Sequence, residues 1–314
     1  MNPKQLHQSL KGLLVATALP LLLVACGTVP ISGRKSLNLV PESQIIQQSA
    51  LQYTEYVRQM PHSDDPKKIE RVETVCKRIA KAATVYLQQN NLSDLANQMK
   101  WEFTLIADRR VNAFCMPGGK IVIYTGILPL CATDDELATV VSHEVSHAIA
   151  RHSNERLSTE ILRQMGGRIL VSAVGSTSAI TNTVIQQAYG LGSQVLVSLP
   201  YSRKQEHEAD QIGLVFMAMA GYNPEQAISF WQKMSQQGGS SQSELLSTHP
   251  SDANRIKAIG EYLPKAIPYY QAYAAQQKAA QAAASEANKE TKTPTKSSSN
   301  KNTTKKPTKK KTKK

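Results

Sequence analysis

The sequence predicts an α+β protein that is mostly helical and contains one small antiparallel sheet. Apolar residues recur at helical intervals in several segments, most clearly in 66–90 and 133–149. The region 101–125 instead alternates apolar with polar residues around a Gly-Gly turn, a pattern typical of strands. The sheet is therefore expected directly before the helix 133–149 in the chain.

That helix carries the first chemical signal. Thr133 and Glu136 match a capping box, and apolar residues follow at helical spacing: Leu137, Val140, Val141, Val145, Ala148 and Ile149. His143 and His147 lie four residues apart, so both can present a ring nitrogen to one metal ion. Glu144 lies where a carboxylate can accept a proton from water. The competing interpretation is a core helix that matches this motif by chance.

A second segment, 202–221, offers a third ligand. A catalytic zinc site needs three protein ligands and an open fourth position, and Glu206 is the candidate. Asp210 follows one helical turn later and can accept the free ring N–H of a zinc-bound histidine. A solvated acidic face is the alternative, since Glu208 lies beside them. Apolar residues follow Asp210, however, so this part of the helix is expected to enter the core.

Sites with three histidines place the third ligand six residues after the second histidine, with a glycine between them. Here that position is Ser153, while His152 is one residue out of phase and Ala150 replaces the glycine. The pattern therefore favours glutamate as the third ligand.

These segments together resemble peptidase family M48, close to its bacterial lipoprotein and Oma1-like branch. The resemblance covers roughly residues 30 to 265 and includes Val111–Phe114, Pro117–Gly119 and Ser247–Pro250. It implies a gluzincin-like zincin fold, endopeptidase activity and one zinc ion per chain. It further implies that His143, His147 and Glu206 hold the zinc and that Glu144 is the general base.

The sheet provides a possible substrate edge. Its strands are predicted at Trp101–Ala107, Val111–Met116 and Ile121–Thr125. In zincins, an edge strand beside the zinc helix receives extended substrate through backbone hydrogen bonds. The resemblance places Asn112, Ala113 and Phe114 at this edge, which suggests substrate binding. The alternative is sheet packing for Phe114 and a turn role for Asn112.

His249 follows the third ligand in the chain and has three interpretations. It could close the open metal position as a latch, donate to the oxyanion of the reaction, or only hold the turn before the last helix. Arg203 and Tyr201 are weaker alternatives for oxyanion support.

The N-terminus resembles that of an exported lipoprotein. Residues 1–25 have the basic start and short apolar core of a signal peptide. Leu-Val-Ala-Cys resembles a lipobox, which implies lipid on Cys26; an ordinary signal peptide with a chance cysteine is the alternative. Because Gly27 is not aspartate, the expected location is the periplasmic face of a bacterial outer membrane.

The charge of the chain is concentrated at its C-terminus. Of 37 basic and 24 acidic residues, 288–314 holds 11 Lys and one Glu, and the signal peptide holds two Lys. The tail is expected to be disordered, and its lysines could contact an anionic surface or remain simply solvated. Nucleic acid is not an expected partner, because the signal peptide directs the chain out of the cytoplasm.

The predicted organisation is a linker at 26–41, a metallopeptidase domain at 42–265, an Ala/Gln-rich extension at 266–287 and the tail at 288–314. Cys115 and Cys131 could form a disulfide, with buried free thiols as the alternative. The expected function is zinc-dependent degradation of misfolded envelope proteins. The alternatives are a chaperone-like envelope assembly factor with a non-catalytic zinc, and a zinc hydrolase acting on cell-wall peptide.

Overall fold

The computed structural model describes residues 26–165, 201–236, 244–249 and 253–290. Its described part is mostly helical with two small sheets, which confirms the predicted fold class. The strands are β1 (Cys26–Thr28), β2 (Lys35–Leu37), β3 (Glu102–Ile106), β4 (Ala113–Met116) and β5 (Lys120–Tyr124). The helices are α1 (Glu42–Gln59), α2 (Pro66–Gln89), α3 (Ser93–Gln98), α4 (Asp134–Ile149), α5 (His152–Met165), α6 (Arg203–Met219), α7 (Gln226–Gln236), α8 (Glu244–Thr248) and α9 (Ala253–Glu290).

Helix α4 is the centre of the core. Every residue from Glu136 to Ile149 is buried, and α6, α2, β4 and α7 pack around the helix. Its closest neighbour is α6, where Gly213 leaves so little space that a Cβ there would lie 3.2 Å from the backbone nitrogen of His143. A fully buried helix gives its polar side chains fixed neighbours, so any group on α4 is held rigidly.

The three-stranded sheet has the order β3-β5-β4. The hairpin of β4 and β5 is antiparallel, and Gly118 and Gly119 turn it with φ angles of +84° and +86°. β3 pairs parallel with β5, in contrast to the antiparallel pairing expected from the sequence. The difference arises because residues 107–112 cross the end of β5, so β4 pairs on its far side. Alternation within a strand identifies its buried face but not its neighbour.

The segment expected to be a linker contains a hairpin. β1 and β2 pair antiparallel from Cys26↔Leu37 to Thr28↔Lys35. Leu39 N donates to Ser158 Oγ of α5 over 2.8 Å, and Arg34 in the hairpin turn pairs with carboxylates of α5 and α6. The N-terminal residues of the described chain are therefore packed on the domain.

Among the described residues, those up to Ala274 form one compact unit and those from Ala275 onward a second, and the boundary falls within α9. Cys76, Cys115 and Cys131 are buried free thiols, so Cys115 and Cys131 are not bridged. In the described part of the chain, no helix is long and apolar enough to cross a membrane. The predicted signal peptide, most of the basic tail and residues 166–200, 237–243 and 250–252 lie outside the described residues.

Candidate metal centre

Two capped helices hold the predicted ligands. At the start of α4, Thr133 Oγ1 accepts a hydrogen bond from the backbone N–H of Glu136 over 3.2 Å. Glu136 Oε2 in turn accepts from the backbone N–H of Thr133, so the predicted capping box is present. His143 and His147 follow on one face of this helix, with 2% and 1% of their surfaces exposed. A second capping box, between Ser202 and Gln205, begins α6. Glu206 and Asp210 therefore lie on the first two turns of a fixed helix.

Four buried side chains converge on one point: His143, His147, Glu206 and His249, whose ligand atoms all lie within 4.8 Å of one another. The Nε2 atom of His143 is 3.1 Å from His147 Nε2 and 3.2 Å from His249 Nδ1. Glu206 Oε2 lies 3.4 Å from His143 Nε2, while Glu206 Oε1 lies 3.4 Å from His147 Nε2 and 3.0 Å from His249 Nδ1.

These distances fit a zinc ion. At a Zn–N distance of ~2.05 Å, the ligand atoms of a tetrahedral site are about 3.3 Å apart. Ring nitrogens that face one another at 3.1 and 3.2 Å need a cation or a proton between them. Glu206 Oε2 is buried and accepts no hydrogen bond, although the guanidinium of Arg255 lies 3.0 Å from it, so this oxygen still has capacity to bind a metal.

The outer nitrogen of His143 binds a carboxylate directly. His143 Nδ1 lies 2.9 Å from Asp210 Oδ1, a contact that the spacing on α6 predicts, and the role of Asp210 in supporting a zinc ligand stays a prediction. Arg255, at the start of α9, donates to both oxygens of Asp210 over 2.7 and 2.8 Å. Its guanidinium also lies 3.0 Å from Glu206 Oε2 and stacks 3.3 Å from the ring of Trp231. Arg255 therefore compensates the charge of two acidic side chains at the site.

Sequence reasoning missed Arg255. A usable signal existed, because Arg255 lies four residues before Ile259 and eight before Leu263, both buried on α9. A charged residue at an apolar helical position needs a partner.

The outer nitrogen of His147 binds another histidine. His147 Nδ1 lies 2.9 Å from His152 Nδ1, and His152 Nε2 lies 2.9 Å from Glu208 Oε2. Arg34 and Ser32 of the N-terminal hairpin turn donate to Glu208. The sequence pattern offers His152 only as a metal ligand that is out of phase, and Glu208 only as part of a solvated acidic face. In the structure both side chains are buried and hydrogen-bonded to one another.

Glu144 is a further buried acidic group, beside the four-residue cluster. It is 1% exposed, its Oε1 has no hydrogen-bond partner, and this oxygen lies 3.5 Å from His249 Nε2. Burial raises the pKa of Glu144 to about 7, although the charge of His249 opposes the shift. A carboxyl group with this pKa can both accept and release a proton near neutral pH.

Two of the three predicted ligands, Glu206 and His147, are biased toward the form that binds a metal, whereas His143 is biased toward its protonated form, which a metal would have to displace. Burial raises the pKa of Glu206, but His249, His143 and His147 outweigh it and hold the pKa well below its usual value. Burial lowers the pKa of His147 strongly. For His143, burial also lowers the pKa, but hydrogen bonds to Asp210 and Glu206 outweigh it and raise the value.

Two residues considered for oxyanion support differ in position. The ring of Tyr201 lies 3.8 Å from the ring of His147, between that ligand and the guanidinium of Arg156. Its backbone N–H donates to Thr248 O, adjacent to His249. Arg203 is exposed on the first turn of α6 and is not part of the buried cluster.

The predicted substrate edge is strand β4. Ala113 is buried and pairs with Ile123, while Phe114 packs edge-on against Tyr56 at 5.5 Å between ring centroids. Asn112 precedes the strand and donates to Glu244 Oε2 over 2.9 Å. β4 is an edge of the described sheet and packs on α4, and its role in substrate binding stays a prediction.

Comparison with known proteins agrees with this geometry. The model of the family described as "Peptidase family M48" matches residues 66–263. The chain belongs to peptidase family M48. This family is zinc-dependent, and the predicted resemblance is confirmed. The match extends from the start of α2 into the first turns of α9, so it contains every member of the four-residue cluster.

Several relatives of this M48 chain are named mitochondrial metalloendopeptidase OMA1. The Saccharomyces cerevisiae protein is 35% identical over 64% of this chain and 57% of its own length. The Schizosaccharomyces pombe protein is 36% identical over 76% of this chain and 66% of its own length. The Arabidopsis thaliana protein is 39% identical over 52% of this chain and 32% of its own length. The chain thus spans about two thirds or less of each of these relatives.

These names contradict one prediction. The N-terminal sequence predicts a protein at the periplasmic face of a bacterial outer membrane, but these relatives carry mitochondrial names. The assignment to a bacterial envelope is therefore wrong. It depended on residues 1–27, and residues 1–25 lie outside both the family match and the described structure. Lipidation of Cys26 and surface contacts of the basic tail stay predictions.

Proposed function

We propose that this protein is a zinc-dependent endopeptidase that hydrolyses misfolded or damaged polypeptides. The observation that supports this most strongly is the convergence of His143, His147 and Glu206 within ligand distance, beside the buried carboxyl group of Glu144. The three ligands come from α4 and α6, whose spacing is fixed by close packing at Gly213. Family membership and the names of the relatives agree with this activity.

Zinc held by these three residues would supply Lewis-acid chemistry, polarising the scissile carbonyl and acidifying a water molecule. Glu144 accepts the proton from that water and then donates it to the leaving amine. Its pKa of about 7 suits both steps. Burial of the cluster excludes bulk solvent, which strengthens the electrostatic interactions of the reacting groups.

Extended substrate would bind along β4. This strand is an edge of the described sheet and packs against the zinc helix. Backbone hydrogen bonds to an edge strand recognise main chain rather than sequence, which fits a protease for damaged proteins. Asn112, Ala113 and Phe114 are the residues assigned to this contact.

The test compares Glu144→Gln with wild type on a denatured, fluorescently labelled protein. Removing the general base is expected to lower turnover by about 10²- to 10⁴-fold. One zinc per chain, measured by elemental analysis, is expected in both proteins, because Glu144 is not a ligand. Glu225→Gln makes the same chemical change at an exposed position and is expected to retain full activity. Proteolysis by the Glu144 variant at the wild-type rate would refute the assignment.

A second candidate function follows from the position of His249. Its Nδ1 is 3.2 Å from His143 Nε2, so His249 can complete a four-ligand zinc site. Closed four-ligand sites are typical of structural zinc. In that case the protein is a chaperone-like assembly factor, and its function is unchanged in the Glu144→Gln variant.

His249→Ala in the same assay separates these roles. We expect increased turnover, because the substitution opens the fourth position of the metal. A strong loss of turnover would instead identify His249 as a donor to the oxyanion. Unchanged turnover with lower stability would show that it only holds its turn. The position of its Nδ1 among the ligands favours the first outcome.

A further inference from the structure

We propose that His152 is a positioning residue for the metal ligand His147, fixed in turn by Glu208. Asp210 already supports His143, the other histidine of α4, through one direct bond. The support of His147 is built differently, with an imidazole between the ligand and the carboxylate. The inference concerns the metal site of the proposed function, but it can be tested without peptidase activity.

The orientation of His147 defines which of its nitrogens needs support. Nε2 points into the cluster, 3.1 Å from His143 Nε2 and 3.4 Å from Glu206 Oε1. Nδ1 points away and lies 2.9 Å from His152 Nδ1. Two ring nitrogens at this distance share one proton, so one donates and the other accepts.

Glu208 determines which of the two donates. An ionised carboxylate only accepts hydrogen bonds, and Glu208 Oε2 lies 2.9 Å from His152 Nε2, so that nitrogen carries a hydrogen. A neutral imidazole has one N–H, which leaves His152 Nδ1 as an acceptor. His147 Nδ1 therefore donates, and His147 Nε2 presents its lone pair to the cluster.

The N-terminal hairpin holds Glu208 in the ionised form. Arg34 Nε donates to Glu208 Oε2 over 2.8 Å, and Ser32 Oγ donates to Oε1. Arg34 also binds Glu155 with two parallel hydrogen bonds of 2.5 and 2.8 Å, which fix its plane. The support of His147 thus runs from one ligand through α5 and α6 to a hairpin more than a hundred residues away in sequence.

The backbone between α4 and α5 places His152 at this position. Arg151 has a φ of +57°, a left-handed conformation that costs a non-glycine residue roughly 1 kcal/mol. This turn directs the side chain of His152 toward α4, the preceding helix, where His147 lies five residues earlier in the chain. His152 is completely buried. A strained residue that aims a buried imidazole at a ligand indicates positioning rather than simple packing.

The test measures zinc affinity of the full chain by competition with a chromophoric chelator. His152→Phe fills the ring volume but offers no acceptor, whereas His152→Gln retains an amide oxygen. We expect zinc affinity to fall about 10- to 100-fold in the Phe variant and to recover at least half of that loss, on a logarithmic scale, in the Gln variant. If the His152→Phe variant does not fold, His152→Leu also removes the hydrogen-bond acceptor, with a smaller side chain.

Ser158→Ala is the matched control. Ser158 is a fully buried residue of the same helix, and the substitution removes its bond to Leu39 N, after strand β2, but none of the hydrogen bonds that link His147, His152, Glu208 and Arg34. We expect lower stability with unchanged zinc affinity. Cobalt substitution adds a spectroscopic measure, because displacement of His147 changes the visible spectrum of bound Co²⁺.

Wild-type zinc affinity in the folded His152→Phe variant would overturn the proposal. Equal losses in the Phe and Gln variants would also overturn it, since they would show that any substitution disturbs the site by packing alone. Failure of the proposed peptidase function is a separate result: the Glu144→Gln comparison reports it, and it leaves these metal affinities unaffected.

Discussion

The two predicted metal-binding histidines of α4 are supported by regions of opposite character. His143 is held by Asp210, whose partner Arg255 is 1% exposed and covered by Trp231. His147 is held through His152 and Glu208 and depends at its far end on Arg34. The first support is short and lies within the core, while the second is longer and ends in a hairpin near the surface.

The difference has a physical consequence. Breaking a buried ion pair leaves an uncompensated charge in a medium that solvates it poorly, whereas a pair near the surface can be replaced by water. The Arg34 side chain is 13% exposed, and that of Arg255 is 1% exposed. The support of His143 therefore contributes mainly rigidity and stability. The support of His147 makes the metal site depend on the N-terminal hairpin.

The largest effect is expected from Arg255→Met. The substitution leaves Asp210 without its two hydrogen bonds and Glu206 without its nearest cation other than histidine. Removing one partner of a buried pair typically costs about 3 to 5 kcal/mol. Urea unfolding of the zinc-free protein measures this cost, and zinc is expected to restore part of it by compensating Glu206.

Arg78→Met provides the comparison for Arg255. Arg78 also stacks on an aromatic ring, 4.0 Å from that of Tyr222, but its hydrogen bonds go to the backbone oxygen of Ala220 and the hydroxyl of Tyr273. Its removal leaves no carboxylate unpaired, so a smaller cost is expected. Equal costs for the two variants would show that stacking, rather than charge compensation, is the contribution of Arg255.

An intermediate effect on folding stability is expected when the pH is lowered. Burial raises the pKa of Glu208, but its bonds to His152, Arg34 and Ser32 outweigh this and lower the pKa to about 2. Because the folded pKa lies below the unfolded value, the stabilisation is present above pH 4.5 and is lost as the pH falls toward 2. Glu155, the other partner of Arg34, also has a lowered pKa despite its burial.

Arg34→Met tests this dependence. We expect the variant to be less stable than wild type by about 2 kcal/mol between pH 5 and 7, and the difference to shrink by half or more near pH 3. Zinc-free protein is used, and denaturant unfolding is measured at each pH. Arg58→Met removes an exposed pair with Glu55 and is expected to change nothing measurable. A stability difference that is independent of pH would show that Arg34 does not act through these carboxylates.

The contrast between the two supports also explains what could be predicted from sequence. The two histidines of α4 follow a spacing rule within one helix, and Asp210 lies one turn from Glu206, so local periodicity predicts each of these pairs. Glu206 itself is predicted from the need for a third ligand and from the family resemblance. Arg34 and Arg255 contact the site from segments far away in the chain. No periodicity links them to it, because such contacts depend on how the elements pack.

For the sheet, too, local sequence patterns predict the elements but not how they pair. Its strands and the Gly118-Gly119 turn follow from alternation and turn chemistry. The parallel pairing of β3 with β5 depends on the path of residues 107–112 over the end of β5. His152 illustrates a further limit: its proximity to His147 was visible in the sequence, but its orientation depends on the left-handed backbone of Arg151.

The smallest effect is expected where the two supports meet, at the crossing of α4 and α6. A Cβ at Gly213 would lie 3.2 Å from His143 N and from Ser142 Oγ, so Gly213→Ala must move the helices apart by a few tenths of an ångström. Alanine also favours helix by about 1 kcal/mol, which offsets much of the packing cost. The net change in stability is therefore expected to be small.

The metal site is more sensitive to that movement than the free energy of unfolding, because Glu206 lies on α6 and both histidines lie on α4. We expect Gly213→Ala to weaken zinc binding by about 3- to 10-fold, since a separation of ligands by tenths of an ångström is significant against Zn–N bonds of ~2.0 Å. Gly260→Ala is the control: its Cβ would meet only Ile228 Cδ1 at 4.0 Å. That variant is expected to be more stable with unchanged zinc affinity. If both variants bind zinc like wild type, close packing at Gly213 does not set the distance between the ligands, and the two supports hold their histidines independently of it.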